Sequence, residues 1–107
     1  MSELQELKRI GARPQPNSGR GKHNKGDGVL DEKWIVDVKE YEKSYGLSVT
    51  SWGKVCTDAS KSNFEPLLAV VLGSEGERRI RLMVQDQDDW LEMKEKARLY
   101  DELTQEV

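Results

Sequence analysis

Four side chains in this sequence have the types and spacing to do chemistry together: Glu3, Asp27, Asp37 and Lys39. Asp37 and Lys39 stand two apart in "WIVDVKEY", so on a strand they project from one face while Val36 and Val38 pack on the other. A hairpin that brings Asp27 beside Asp37 sets two carboxylates together, and at ~4 Å they repel by about 4 kcal/mol at an effective dielectric near 20. A cation relieves that repulsion. Oxygen donors favour Mg²⁺ or Mn²⁺, held by Asp27, Asp37 and the backbone carbonyl of Val38 with waters in the remaining positions. The chemistry that follows is hydrolysis of a phosphodiester: the ion acidifies a water and polarises a phosphorus–oxygen bond, and the Lys39 ammonium stabilises the charge developing on the phosphate. Glu3 either completes the metal shell or accepts the water's proton.

Positioning these groups needs particular elements. Leu4, Leu7 and Ile10 predict a first helix over 2–10, with Ser2 as its cap, Gly11 as its stop, Glu3 on its inward face and Glu6 toward the edge. Gly28–Leu30 and Trp34–Tyr41 read as two strands joined by a turn at 31–33. Trp52, Val55, Cys56 and Ala59 form one apolar stripe of a second helix that starts at Thr50 or Ser51. The run "PLLAVVLG" reads as a strand buried on both faces, and "SEGE" turns it into "RRIRLMVQD". Asp86 or Asp88 caps a last helix reaching about Gln105, with Trp90, Met93, Ala97 and Tyr100 on one stripe. The predicted fold class is α/β, a mixed β-sheet flanked by helices in the order α-β-β-β-α-β-β-α, the extra strand being a short one over Leu47–Val49.

The chain is 107 residues long, which is one domain with one modest core. Hydrophobic residues make up 36% and charged residues 35%, yet three Trp and three Tyr are too many apolar anchors for a disordered tail. No run approaches the roughly 20 apolar residues of a membrane span, and the first residues lack a signal-peptide core. A soluble cytoplasmic protein with no membrane partner is the expectation. Cys56 is the single cysteine, excluding an internal disulfide and a zinc–thiolate cluster, and is read as a small buried hydrophobe.

Charge divides the chain. Between Lys8 and Lys25 lie six basic residues and no acidic one, in a Gly-, Pro- and Asn-rich segment, whereas Glu65 to Val107 carries six basic against eleven acidic residues. The first segment suits phosphate contact through Arg13, Arg20, Lys22 and Lys25. His23 fits there as a loop histidine near phosphate. Set against this is the plain reading of the segment as a solvated linker.

The sequence of motifs, a helical Glu, "NSGRGK", "GD" and "DVK", resembles the PD-(D/E)xK nuclease superfamily, and most nearly small Holliday-junction resolvases of the archaeal and phage type. "SWGKVCTDA", "PLLAVVLG" and "IRLMVQDQDDWLEM" extend the likeness along most of the chain. The resemblance implies a restriction-endonuclease-like core in a single domain over 1–107. It implies catalytic Glu3 (or Glu6), Asp27, Asp37 and Lys39, metal held by Asp27, Asp37 and Val38, and Ser18 among the DNA contacts. The triplet opens with Asp where Glu is common in the family. The implied activity is a Mg²⁺- or Mn²⁺-dependent endonuclease, a hydrolase acting on branched DNA in recombination, as a homodimer in a prokaryotic or phage-infected cell. Trp90, Met93, Ala97 and Tyr100, with Trp52 as a second patch, are the apolar residues read as core or dimer contacts. Two alternatives stay open: a catalytically silent module of the same fold that binds nucleic acid or protein, and a nicking nuclease with no junction preference.

Overall fold

Two apolar surfaces of one sheet organise the chain. The computed structural model describes residues 3–15 and 26–105. Its elements are α1 (Glu3–Ile10), β1 (Arg13–Pro14), β2 (Gly28–Leu30), β3 (Trp34–Tyr41), α2 (Val49–Lys61), β4 (Glu65–Leu72), β5 (Ile80–Val84) and α3 (Gln87–Gln105). The strands lie in the order β1-β2-β3-β4-β5, antiparallel except for the parallel pair β3/β4. The chain therefore forms an α/β fold whose five-stranded mixed sheet is flanked by helices.

Alternation along β3 explains the layering. Val36 and Val38 turn to one face, where they pack with Leu7 of α1, Ala12, Leu67 and Ala69. Ile35 turns to the other face and packs with Val29 and Ala59 of α2, while Val55 of α2 covers Leu68 and Val70 of β4. β4 is thus buried on both faces, as its continuous apolar run requires. Fully burying side chains such as Leu7, Ile35 and Leu68 stabilises the fold by about 1.5–3 kcal/mol each. Leu7 also fixes α1 on the sheet, which is what carries Glu3 to its place.

The strand bounds of β2 and β3 coincide with those read from the sequence; other details differ. The extra strand is Arg13–Pro14, paired with Gly28 and Val29, and 47–49 forms no strand. α2 begins at Val49, because Ser48 is its cap: the Ser48 hydroxyl accepts from Ser51 N–H at 3.1 Å while the Ser51 hydroxyl accepts from Ser48 N–H at 2.8 Å. α3 is capped by Asp86, whose Oδ1 accepts from Asp88 N–H at 2.9 Å. Cys56 is half-buried, and burial pushes its thiol up. The acid that α1 buries is Glu6, not Glu3: Glu6 is 5% exposed and both its oxygens accept from the Arg81 guanidinium, at 3.0 and 3.2 Å. That bidentate pair ties α1 to β5.

The apolar stripe of α3 does not enter the core. Asp89 anchors the first turn, accepting from Trp34 Nε1 at 3.2 Å and from Gln85 Nε2 at 3.0 Å, and from Trp90 to Gln105 every residue is exposed. Among the described residues no helix is long and apolar enough to cross a membrane. The Ser2 cap, and Ser18, Arg20, Lys22, His23 and Lys25 of the basic segment, lie outside the described residues.

Candidate active site

Pairing of Gly28 with Val36 sets Asp27 opposite Asp37 at the open end of the β2/β3 ladder. Asp27 N–H donates to Val36 O at 2.9 Å, and Asp27 Oδ2 accepts from Val38 N–H at 2.6 Å. The N–H and C=O of a strand residue point the same way, so the Val38 carbonyl faces the Asp27 side, where β2 has ended. Two glycines make this possible. Gly26 has φ +87°, and a Cβ there would lie 2.3 Å from Ile35 Cγ2; a Cβ on Gly28 would lie 2.8 Å from Leu7 Cδ2. The first sets the turn that aims Asp27, and the second lets α1 close onto β2.

Glu3, Asp27, Asp37, Val38 and Lys39 line one open pocket of about 540 Å³. Burial and then the Asp27 charge push the Asp37 carboxyl up from its ordinary 3.8 to about 6. Glu3, though exposed, is raised too, by partial desolvation at the pocket rim first, then by the charge of Asp27 and a side-chain hydrogen bond with it. The pocket thus holds acids that resist ionising together. Lys39 lies beside them without an ion-pair partner within 4.0 Å among the described residues, so its ammonium is available to a ligand.

The opposite wall is α2, through Lys54, Thr57, Asp58 and Lys61. These residues were not singled out in the sequence, although Lys54, Asp58 and Lys61 recur at the 4 and 3 spacing of one helix face next to the apolar stripe. Asp58 is only 8% exposed and adds negative potential at Asp37, while Lys54 opposes it. Lys54 and Lys61 are exposed and flank the pocket with positive charge. Two expected participants are elsewhere. Glu6 is committed to Arg81, and Arg13 donates from Nη2 to Glu32 Oε1 at 2.8 Å, away from the pocket lining.

The donor set fits a hard divalent cation: two carboxylates and a carbonyl oxygen, all oxygen, with repulsion that a cation removes. Among the described residues no three His, Cys, Asp or Glu side chains are gathered tightly enough to hold an ion alone. Asp27, Asp37 and the Val38 carbonyl would hold it, with water completing the shell, and Glu3 stands beside them through its side-chain hydrogen bond with Asp27. Comparison of the chain with protein-family models, with curated proteins and with solved structures found no match.

The raised Asp37 carboxyl gives a first prediction. An acid whose folded-state pKa lies above its unfolded value favours the folded state least where it is ionised. Its cost is absent below the ordinary 3.8 and complete above about 6. In chelator, Asp37→Asn should therefore melt at a higher temperature than wild type at about pH 8, with the gap closing as the pH falls toward about 4. Mg²⁺ should stabilise wild type and leave the variant unmoved. A gap that ignores pH, or equal Mg²⁺ shifts, would contradict the strain ascribed to Asp37.

Proposed function

We propose that this chain is a metal-dependent phosphodiesterase of the restriction-endonuclease-like class. Within that class we read it as an endonuclease that cuts branched DNA in the manner of a Holliday-junction resolvase. The observation that carries the reading is the convergence of Asp27, Asp37, the Val38 carbonyl and Lys39 on one open pocket at the end of the β2/β3 ladder. Burial first, and then the Asp27 charge, push the Asp37 carboxyl up to about 6, a cost for which a purely structural strand has no use.

A bound Mg²⁺ or Mn²⁺ would supply an acidified water and a polarised phosphoryl group. Lys39, on the same face of β3 as Asp37 and without an ion-pair partner among the described residues, donates to a non-bridging phosphate oxygen as charge builds there. Glu3 takes the proton released by the attacking water, its raised carboxyl keeping it a better base than an ordinary glutamate near neutral pH. Lys54 and Lys61 hold the flanking phosphates against the α2 wall, and the Lys8–Lys25 segment adds further contacts.

A four-way junction has pairs of like strands, so symmetric nicks call for two sites related by a two-fold axis. The exposed α3 supports a second copy as partner. Trp90, Met93 and Tyr100 lie at seam spacing, and Tyr100 and Leu103 are each 68% exposed among the described residues. Light scattering at micromolar concentration should give a dimer that Leu103→Glu converts to monomer. A panel of linear, flapped and four-way DNAs with Mg²⁺ should show paired cuts in the junction and little in linear duplex. A wild-type monomer that cuts all three equally would leave a general nicking nuclease.

A further inference from the structure

A second cavity, of about 260 Å³, adjoins the first and shares Asp37, Lys39 and Lys54 with it. Its far wall is aromatic: Tyr41 and Tyr45 stack with ring centroids 5.3 Å apart and planes 29° from parallel. Strand alternation puts Asp37, Lys39 and Tyr41 on one face of β3 in a line, and the span from Asp37 to Tyr41 is about 13 Å at about 3.3 Å per residue. Tyr45 rests on the Val55, Leu68 and Val70 cluster, which fixes the pair in place. Tyr41 is 45% exposed. Its other side faces Glu40, Glu42 and Glu75 with Arg79, which pairs with Glu40 at 3.0 Å, so among the described residues the flank bearing Lys39 and Lys54 suits a polyanion better.

We propose that this cavity is a stacking subsite for one unpaired nucleobase of the DNA strand being cut, displaced from the scissile phosphate by a couple of nucleotides. The assignment rests on the nuclease reading above and refines its substrate: a strand that can splay a base out of the duplex near the cut. A ring face is reachable only on an unstacked base, and the Tyr pair offers an aromatic platform at the end of a cationic track. Lys39 and Lys54 at the junction of the two cavities hold the intervening phosphates. A fully paired duplex leaves the subsite empty, whereas the crossover of a branched molecule supplies unstacked bases. The subsite thus contributes to a preference for branched or single-stranded DNA through stacking, without reading sequence.

The test is fluorescence anisotropy in Ca²⁺ with a short labelled oligothymidylate, an otherwise identical strand carrying an abasic site, and a fully paired duplex. Tyr41→Ala is suited to it, because Tyr41 sits exposed at the strand end and outside the core clusters. The variant should bind the single strand about 5- to 100-fold more weakly, with a much smaller change on duplex. Tyr41→Phe should bind like wild type, since it keeps the ring and loses only the hydroxyl. Abasic substitution at the stacked nucleotide should weaken wild type and leave Tyr41→Ala unmoved. Equal losses on single strand and duplex, or no loss on either, overturn the subsite. Mg²⁺-dependent cleavage by wild type and Asp37→Asn, run alongside, separates the two claims. A wild type that cuts while Tyr41→Ala binds single strands normally overturns the subsite alone. A wild type that neither binds nor cuts DNA overturns both.

Discussion

Lys39→Ala should lower the single-turnover rate of the proposed Mg²⁺-dependent cleavage by about 10²–10³-fold, the usual cost of removing one preorganised donor from a developing oxyanion. Asp37→Ala should take cleavage to background by removing one of the two carboxylates proposed to hold the ion. Both variants should keep the fold. Lys39 makes no ion pair among the described residues, and Asp37 is an acid that the folded state tolerates at a cost. Asp27→Ala differs, because Asp27 Oδ2 also satisfies the Val38 N–H. Losing that bond should cost about 1–3 kcal/mol of stability besides the activity. The informative comparison is therefore Asp37→Asn, which keeps the shape and removes one charge. Gel shifts in Ca²⁺ should show all four variants still binding DNA.

Gly26→Ala should be among the most damaging single-methyl changes in the molecule. The residue sits at φ +87°, where a Cβ costs about 1–2 kcal/mol, and the new methyl would lie 2.3 Å from Ile35 Cγ2. Ile35 is fully buried and has no room to retreat, so overpacking adds about 1–3 kcal/mol. Against the 5–15 kcal/mol typical of a domain, the sum is large. The change also displaces Asp27, its neighbour in sequence, so activity should fall further than stability accounts for. Gly53→Ala is the control. Among the described residues, its own helix backbone aside, nothing lies within 4 Å of a Cβ there, and a helical Gly→Ala gains up to about 1 kcal/mol. Urea denaturation of the two variants checks both signs, and a Gly26→Ala protein as stable as wild type would contradict the crowded turn.

The hairpin was legible in the sequence because its signals are local: alternation in "WIVDVKEY" and punctuation on either side fix Gly28–Leu30 and Trp34–Tyr41 to the residue. Convergence of Asp27 with Asp37 follows from that register. The strand at Arg13–Pro14 was not legible, since two residues carry no periodicity and their pairing depends on where β2 lies. The start of α2 was missed by one or two residues because Ser51 reads equally as a cap or as the third residue of a capping box begun at Ser48. Wheel geometry put Glu3 inward, but which acid α1 buries is decided by Arg81, far away in sequence on the edge strand. The polar face of α2 carries the pattern Lys54, Asp58, Lys61, yet nothing in that spacing says that it looks onto Asp37. The α3 stripe has core-like spacing, and only the fold reveals that the helix leaves the sheet after its first turn.

We propose that Asp37 and its neighbours hydrolyse DNA with a divalent ion. The direct measurement is a time course of an end-labelled four-way junction with wild type and Asp37→Asn, each in Mg²⁺ and in Ca²⁺. Wild type should give strand-specific products in Mg²⁺ alone, and Asp37→Asn none in either ion. Cleavage by Asp37→Asn at the wild-type rate, or an intact junction after incubation with folded, DNA-binding wild type in Mg²⁺, would contradict it.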